Sequence, residues 1–116
     1  MKDIDEFFNE LSSDDIVRKC YATTFASSFE DGSGRVAVAL LTLLEGEMDL
    51  ATGQSNEYSL CIGRAAVSLI DAIGRLPKQM QLELGPRVLH VLTFYTKSND
   101  SAIRCHAAQS LNRLFT

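Results

Sequence analysis

The stretch that decides the fold is Ser98-Asn99-Asp100-Ser101-Ala102-Ile103-Arg104-Cys105-His106-Ala107-Ala108-Gln109-Ser110-Leu111. Forty-three residues earlier stand Ser55-Asn56-Glu57, then Leu60, with Ala65 in the place of Ala108. A further 43 back come Ser12-Ser13-Asp14, then Val17, Arg18, Ala22 and Phe25. A small polar pair, an acid, an aliphatic three places on and an alanine thus recur at one offset. Three copies of a weak pattern at fixed spacing indicate an internal repeat. Arg18 and Arg104 match each other, and Cys61 stands in the middle copy.

Each copy also reads as a helix start. Ser, Asn and Asp satisfy free backbone N–H groups, and an acid in the first turn suits the helix dipole. The aliphatic and the alanine fall near i and i+4 on one face, where alanine lets a neighbouring helix approach. These are the second helices of three pairs, and the first helices fill the gaps. Residues 3–11 place Ile4, Phe7, Phe8 and Leu11 on one side and acids on the other, as a polar end cap requires. Residues 34–48 are apolar nearly all round and predict a sandwiched helix. Gly85-Pro86 predicts a break between a short helix at 78–84 and a longer one at 86–97. The last helix, 100–115, should turn Ile103, Ala107, Ala108, Leu111, Leu114 and Phe115 inward, with Cys105, His106, Gln109, Asn112 and Arg113 outside. No segment alternates with period two, so the chain reads as all-α.

Leu84-Gly85-Pro86, Val88-Leu89 and Leu92, followed by Asn99-Asp100, Ile103-Arg104, Ala107-Ala108, Leu111 and Leu114, resemble a HEAT repeat. That family's unit is two antiparallel helices, with a proline kink in the first and an Asp…Val-Arg…Ala signature in the second. Residues 12–29 match in the second helix only. The middle copy lacks the proline and the arginine, and has a longer connection from Asp49 to Asn56. The resemblance implies a right-handed α-solenoid of three antiparallel pairs, six helices in all. It would form one domain over 1–116, with units of about 2–30, 34–75 and 78–115. It also implies an inter-repeat ladder at Asp14, Arg18, Asp100 and Arg104, which by spacing alone are i, i+4 pairs. HEAT arrays act mostly as protein-binding scaffolds, with minorities that bind nucleic acid or serve as tetrapyrrole lyases. The expected core is Phe7, Val17, Phe25, Leu40, Leu44, Leu69, Ile73, Leu89, Leu92, Ile103, Ala108 and Leu111.

A chain of 116 residues with 46% apolar and 22% charged residues excludes disordered, collagen-like and disulfide-stapled classes. The greasiest stretch, Val36 to Leu44, is far short of the roughly 20 residues that cross a bilayer. The acidic N-terminus is unlike a secretory leader, and three cysteines without a CxxC pair suggest reduced thiols in the cytoplasm. Residues 1–58 carry 12 acids and 4 bases, residues 59–116 carry 3 acids and 7 bases. Such a bipolar chain is equipped for association.

Candidate chemistry is sparse. Gly32-x-Gly34-x-x-Ala37 lacks the strand that a dinucleotide fingerprint needs; Gly32 as a helix stop and Ser33 as the next cap explain it. Adjacent Cys105 and His106 point about 100° apart on a helix, and His90 has no ligand partner at i±3 or i±4. No catalytic, metal or cofactor residues are therefore assigned. The leading expectation is a non-enzymatic interaction module, an adaptor or an inhibitor or immunity-type protein, acting as monomer or homodimer. Its unknown protein partner would meet the acidic half with a basic surface, at Glu45, Glu47 and Asp49. Phe8 and Tyr58 are its aromatic anchors, and Arg64 and Arg104 further contacts. The alternatives are a nucleic-acid binder using Arg64, Arg75, Lys78, Arg87, Lys97, Arg104 and Arg113, and a cofactor-binding or lyase-like HEAT domain.

Overall fold

A computed structural model of the chain describes residues 3–26, 29, 34–48 and 56–114, without the side chains of 16, 56–58 and 114. Six helices account for most of them, and no strand occurs among the described residues. They are α1 (Ile4–Leu11), α2 (Ile16–Thr23), α3 (Arg35–Gly46), α4 (Asn56–Gly74), α5 (Lys78–Tyr95) and α6 (Ser101–Leu114).

Acid caps start three of them. The Glu6 N–H donates to the Asp3 carboxylate at 2.8 Å, opening α1. The Val17 N–H donates to Asp15 at 2.9 Å, and the Ala102 and Ile103 N–H groups donate to Asp100 at 2.9 and 3.1 Å. Behind the last two caps a serine accepts the aspartate's own N–H, Ser13 for Asp15 and Ser98 for Asp100. The cap of α2 is therefore Asp15, one place later than the 43-residue register set it. One residue turns a helix by about 100°. That slip explains two corrections to the expected core: Val17 is 58% exposed and Ala108 is exposed, while Ala22 and Ala107 are both buried. Leu89 is also 41% exposed, because α5 buries the stripe Val88, Val91, Leu92 and Tyr95 beside it. Phe25 and Leu111 are half-buried, and the other seven expected core residues are buried.

Two boundary expectations also change. Gly34, not Ser33, caps α3, with a φ of 81° that favours glycine. Pro86 lies inside a continuous α5 instead of splitting it. Proline removes the hydrogen bond to the carbonyl of Leu82. Leu82 is 69% exposed and Pro86 is on the surface, so water can take that carbonyl and the helix survives.

α3 and α4 form the centre. α3 buries Val36, Ala37, Leu40, Leu41, Leu43 and Leu44, as its all-round apolarity requires. α4 packs against α2 and α6 most extensively, then against α3, and more lightly against α5. α1 packs on α2 and α3, α5 on α6 and α3. The buried side chains make one cluster contributed by all six helices. The Tyr95 phenol ties α5 to α3 by donating to the Leu44 carbonyl at 2.6 Å. A radius of gyration of 13.1 Å is that of a compact chain of this length, a folded chain of 100 residues having about 13 Å. No helix among the described residues is long and apolar enough to cross a membrane.

Candidate functional site

α4 lies between α2 and α6, and the side it keeps from the core carries Leu60, Arg64 and Val67 at i, i+4 and i+7. Leu60 is 45% exposed. α2 adds Val17 and Tyr21, and its C-terminal cap Thr24 continues the same spacing. Tyr21 is 55% exposed and stacks edge-on against Phe25 with ring centroids 5.0 Å apart. α6 adds Ala102 and His106.

Two adjoining depressions result. One, of about 510 Å³, lies between the end of α2 and the middle of α4, over Thr23, Thr24, Gly63, Arg64 and Val67. The other, of about 480 Å³, lies between the starts of α4 and α6, over Ser59, Asp100 and Ser101. Leu60 and His106 line both and form the ridge between them. His106 reaches this position because Gly63 has no side chain: a Cβ there would meet the imidazole Cδ2 at 2.6 Å. The residue assigned to the outer surface of α6 is thus half-buried against α4, and its Nδ1 is buried with no hydrogen-bond partner.

The polar groups of the face are nearly all committed. The Ser59 hydroxyl donates to the Asp100 carboxylate, which also caps α6. These bonds, the Ser59 one foremost, hold Asp100 below the usual carboxylate range. Arg104 donates to the Ser98 carbonyl at 2.8 Å instead of forming a ladder with an acid. Arg18 forks onto Glu10 at 2.6 and 2.8 Å, not onto Asp14. Lys19 pairs with Glu47 at 2.8 Å. Arg64 makes one long hydrogen bond, to the Cys20 sulfur at 3.9 Å, and no carboxylate pairs with it among the described residues.

The residues expected to meet a partner are scattered by this geometry. Glu45 is forked by Arg87 at 2.7 and 3.2 Å, and Glu47 is held by Lys19, so in-chain cations already neutralise both. Asp49 lies outside the described residues, as does the Tyr58 side chain. Phe8 is half-buried, 5.6 Å from the Phe7 ring and beneath the Arg35 guanidinium at 4.8 Å. Of the expected set, among the described residues, Arg64 alone lines a depression without a carboxylate partner. Among the basic candidates, Arg75 pairs with Asp71 and Arg87 with Glu45. The fingerprint-like Gly32 and the expected cap Ser33 lie outside the described residues.

Cys20 and Cys61 are buried and Cys105 is exposed. Burial, with the neighbouring Cys20 adding to it, pushes the Cys61 thiol up to about 12, so it stays protonated at neutral pH. No group of three or more metal-ligating side chains occurs among the described residues. Leu60, Gly63 and Val67 were missed from the sequence, although Leu60-x-x-x-Arg64-x-x-Val67 is a helical stripe opposite the core stripe of α4. No protein-family model, curated protein or solved structure matches the chain.

Proposed function

We propose that this chain is a non-enzymatic protein-interaction module, an adaptor or an inhibitor or immunity-type protein of the cytoplasm. In this reading it is built as a short HEAT-like α-solenoid and engages its partner through the face formed by α2, α4 and α6. The order of helix contacts supports the architecture: α2, α4 and α6 pack side by side, and α1, α3 and α5 each pack on their successor. The smallest dimension, 18 Å, is near that of two helix layers with axes about 8–10 Å apart.

One observation carries the functional reading. Val17 and Tyr21 of α2 and Leu60 of the neighbouring α4 are exposed, and Leu60 lines an apolar depression beside Arg64, which has no carboxylate partner among the described residues. Contiguous apolar surface rimmed by charge marks interaction sites, and tyrosine and arginine are the usual anchors. The test compares proteins retained from the native host by the wild type, Tyr21→Glu, Leu60→Asp and Leu82→Asp, each checked for an unchanged helical melt. A partner kept by the wild type and L82D but lost by Y21E and L60D supports the reading. A partner lost only with L82D moves the site to α5, and an identical protein set in all four ends the proposal. A salt-sensitive gel shift that survives L60D but is lost when Arg87, Lys97 and Arg104 are neutralised would replace it with the nucleic-acid reading.

A further inference from the structure

The depression between α2 and α4 has a specific chemical complement. Its hydroxyls are already used as donors: Thr23 to the Cys20 carbonyl, Thr24 to the Tyr21 carbonyl and Ser68 to the Thr23 carbonyl. Arg18 and Lys19 of the adjoining helix are neutralised by Glu10 and Glu47, and Arg104 is spent on a backbone carbonyl. The Arg64 guanidinium therefore stands as the cation lining this depression without an oxygen acceptor among the described residues. It has one long contact to a sulfur, and Leu60 and Val67 lie one turn away on either side. A guanidinium presents a planar fork that a carboxylate matches with two bonds.

Resting on the interaction reading above, we propose that this groove docks an acidic amphipathic helix of a partner protein. A Glu or Asp of that helix pairs with Arg64, and an apolar side chain one turn along it fills the depression between Leu60 and Val67. An apolar groove between helices suits an amphipathic helix better than an added strand. The groove runs between helices whose backbone groups are bonded internally, so it offers no strand edge for an extended peptide to join. The electrostatics differ from those expected from composition. Glu10, Glu45 and Glu47 of the acidic half are each held by a cation, Glu45 by Arg87 of the other half, whereas Arg64 on the exposed apolar face has no carboxylate partner among the described residues.

The test is selection of binders from a displayed library of helical 18-residue peptides, on the wild type, Arg64→Glu, Arg64→Gln and Leu60→Asp. Arg64 is on the surface, and an unchanged circular-dichroism melt verifies each fold. The expected result on the wild type is a consensus with an acid one turn from an apolar residue. The best such peptide should lose at least tenfold in affinity on R64Q and more on R64E, regain most of it on R64E when its acid becomes lysine, and fail on L60D. Peptides lost on L60D but with a neutral or basic consensus, or indifferent to R64E, overturn the acidic-helix proposal while leaving the interaction face intact. Peptides that bind L60D and wild type equally, or no enrichment at all, overturn both. Sedimentation of the wild type alone adds one outcome: a dimer abolished by L60D assigns the groove to a second copy of this chain and overturns the acidic partner.

Discussion

The imidazole of His106 lies across α4 at Gly63, where an added Cβ would fall 2.6 Å from Cδ2 and 3.1 Å from Cγ. In an unobstructed helix interior, replacing glycine by alanine gains about 1 kcal/mol. Here that gain is opposed by displacement of a half-buried ring. Gly63→Ala should therefore destabilise by about 1 kcal/mol, within the usual range for overpacking. The same change made in a His106→Ala background should stabilise by about 1 kcal/mol. Urea unfolding of the four proteins measures both steps. An equal gain in both backgrounds would show that the ring does not rest on Gly63.

Lys19 and Glu47 tie α2 to the end of α3 through a pair whose side chains are 18% and 12% exposed. Exposed pairs contribute little, and removing one member of a buried pair strands the other charge. Lys19→Ala should accordingly cost about 1–3 kcal/mol, with much of the loss persisting in 0.5 M salt because the pair is poorly screened. Arg18→Ala, which breaks the solvent-facing pair with Glu10, should change stability far less, and that small effect should fade in salt. Equal losses for the two variants would mean that burial does not separate the pairs.

The thiols offer a separate test of packing. Cys105 is exposed, whereas Cys20 and Cys61 are buried beneath the face where α2 meets α4. A thiol reagent attacks the thiolate, and the Cys61 thiol is pushed up to about 12. At pH 8 a disulfide reagent should label Cys105 within minutes and leave Cys61 untouched until denaturant opens the core. Peptide mapping after labelling identifies the site. Rapid native labelling of Cys61 would mean that the α2–α4 contact opens readily.

What the sequence made legible follows from which signals are local. Caps and apolar runs are local, so six helices, the buried α3 and the one-sided α1 could be read from single windows. The register between copies is not local. Asp14-Asp15 offers two caps of equal chemistry, and choosing the first turned α2 far enough to place Val17 in the core. Proline at 86 announced a break, but the outcome depended on whether the orphaned Leu82 carbonyl faced water, which only tertiary placement decides. The site was hidden for a similar reason. Arg64 could be named as a basic residue of a second helix, but which acids are claimed by other cations, Glu10 by Arg18, Glu45 by Arg87 and Glu47 by Lys19, is decided only in the folded chain. Two of those three pairings span more than 25 residues of sequence. Gly63 carries no periodic signal at all, and its meaning is supplied by a histidine on another helix.

Asp100 couples the start of α6 to α4, and its ionisation should be visible in stability. Three groups donate to its carboxylate, the Ser59 hydroxyl and the Ala102 and Ile103 amides, and the largest effect on its acidity is that of Ser59. They favour the ionised form, so its folded pKa lies below its unfolded value. The stabilisation is then fully present above the unfolded value, about 4, and is lost as pH falls through the folded one. Ser59→Ala removes the strongest donor and should move the Asp100 titration, followed by carboxyl-carbon NMR, upward toward the ordinary aspartate value. Asp100→Asn retains a side chain that can cap a helix but does not titrate. Its stability should therefore fall less steeply than the wild type's between pH 5 and pH 2. If S59A leaves the Asp100 titration unmoved, the hydroxyl is not its principal partner. If D100N follows the wild-type acid limb throughout, other carboxylates carry the pH dependence.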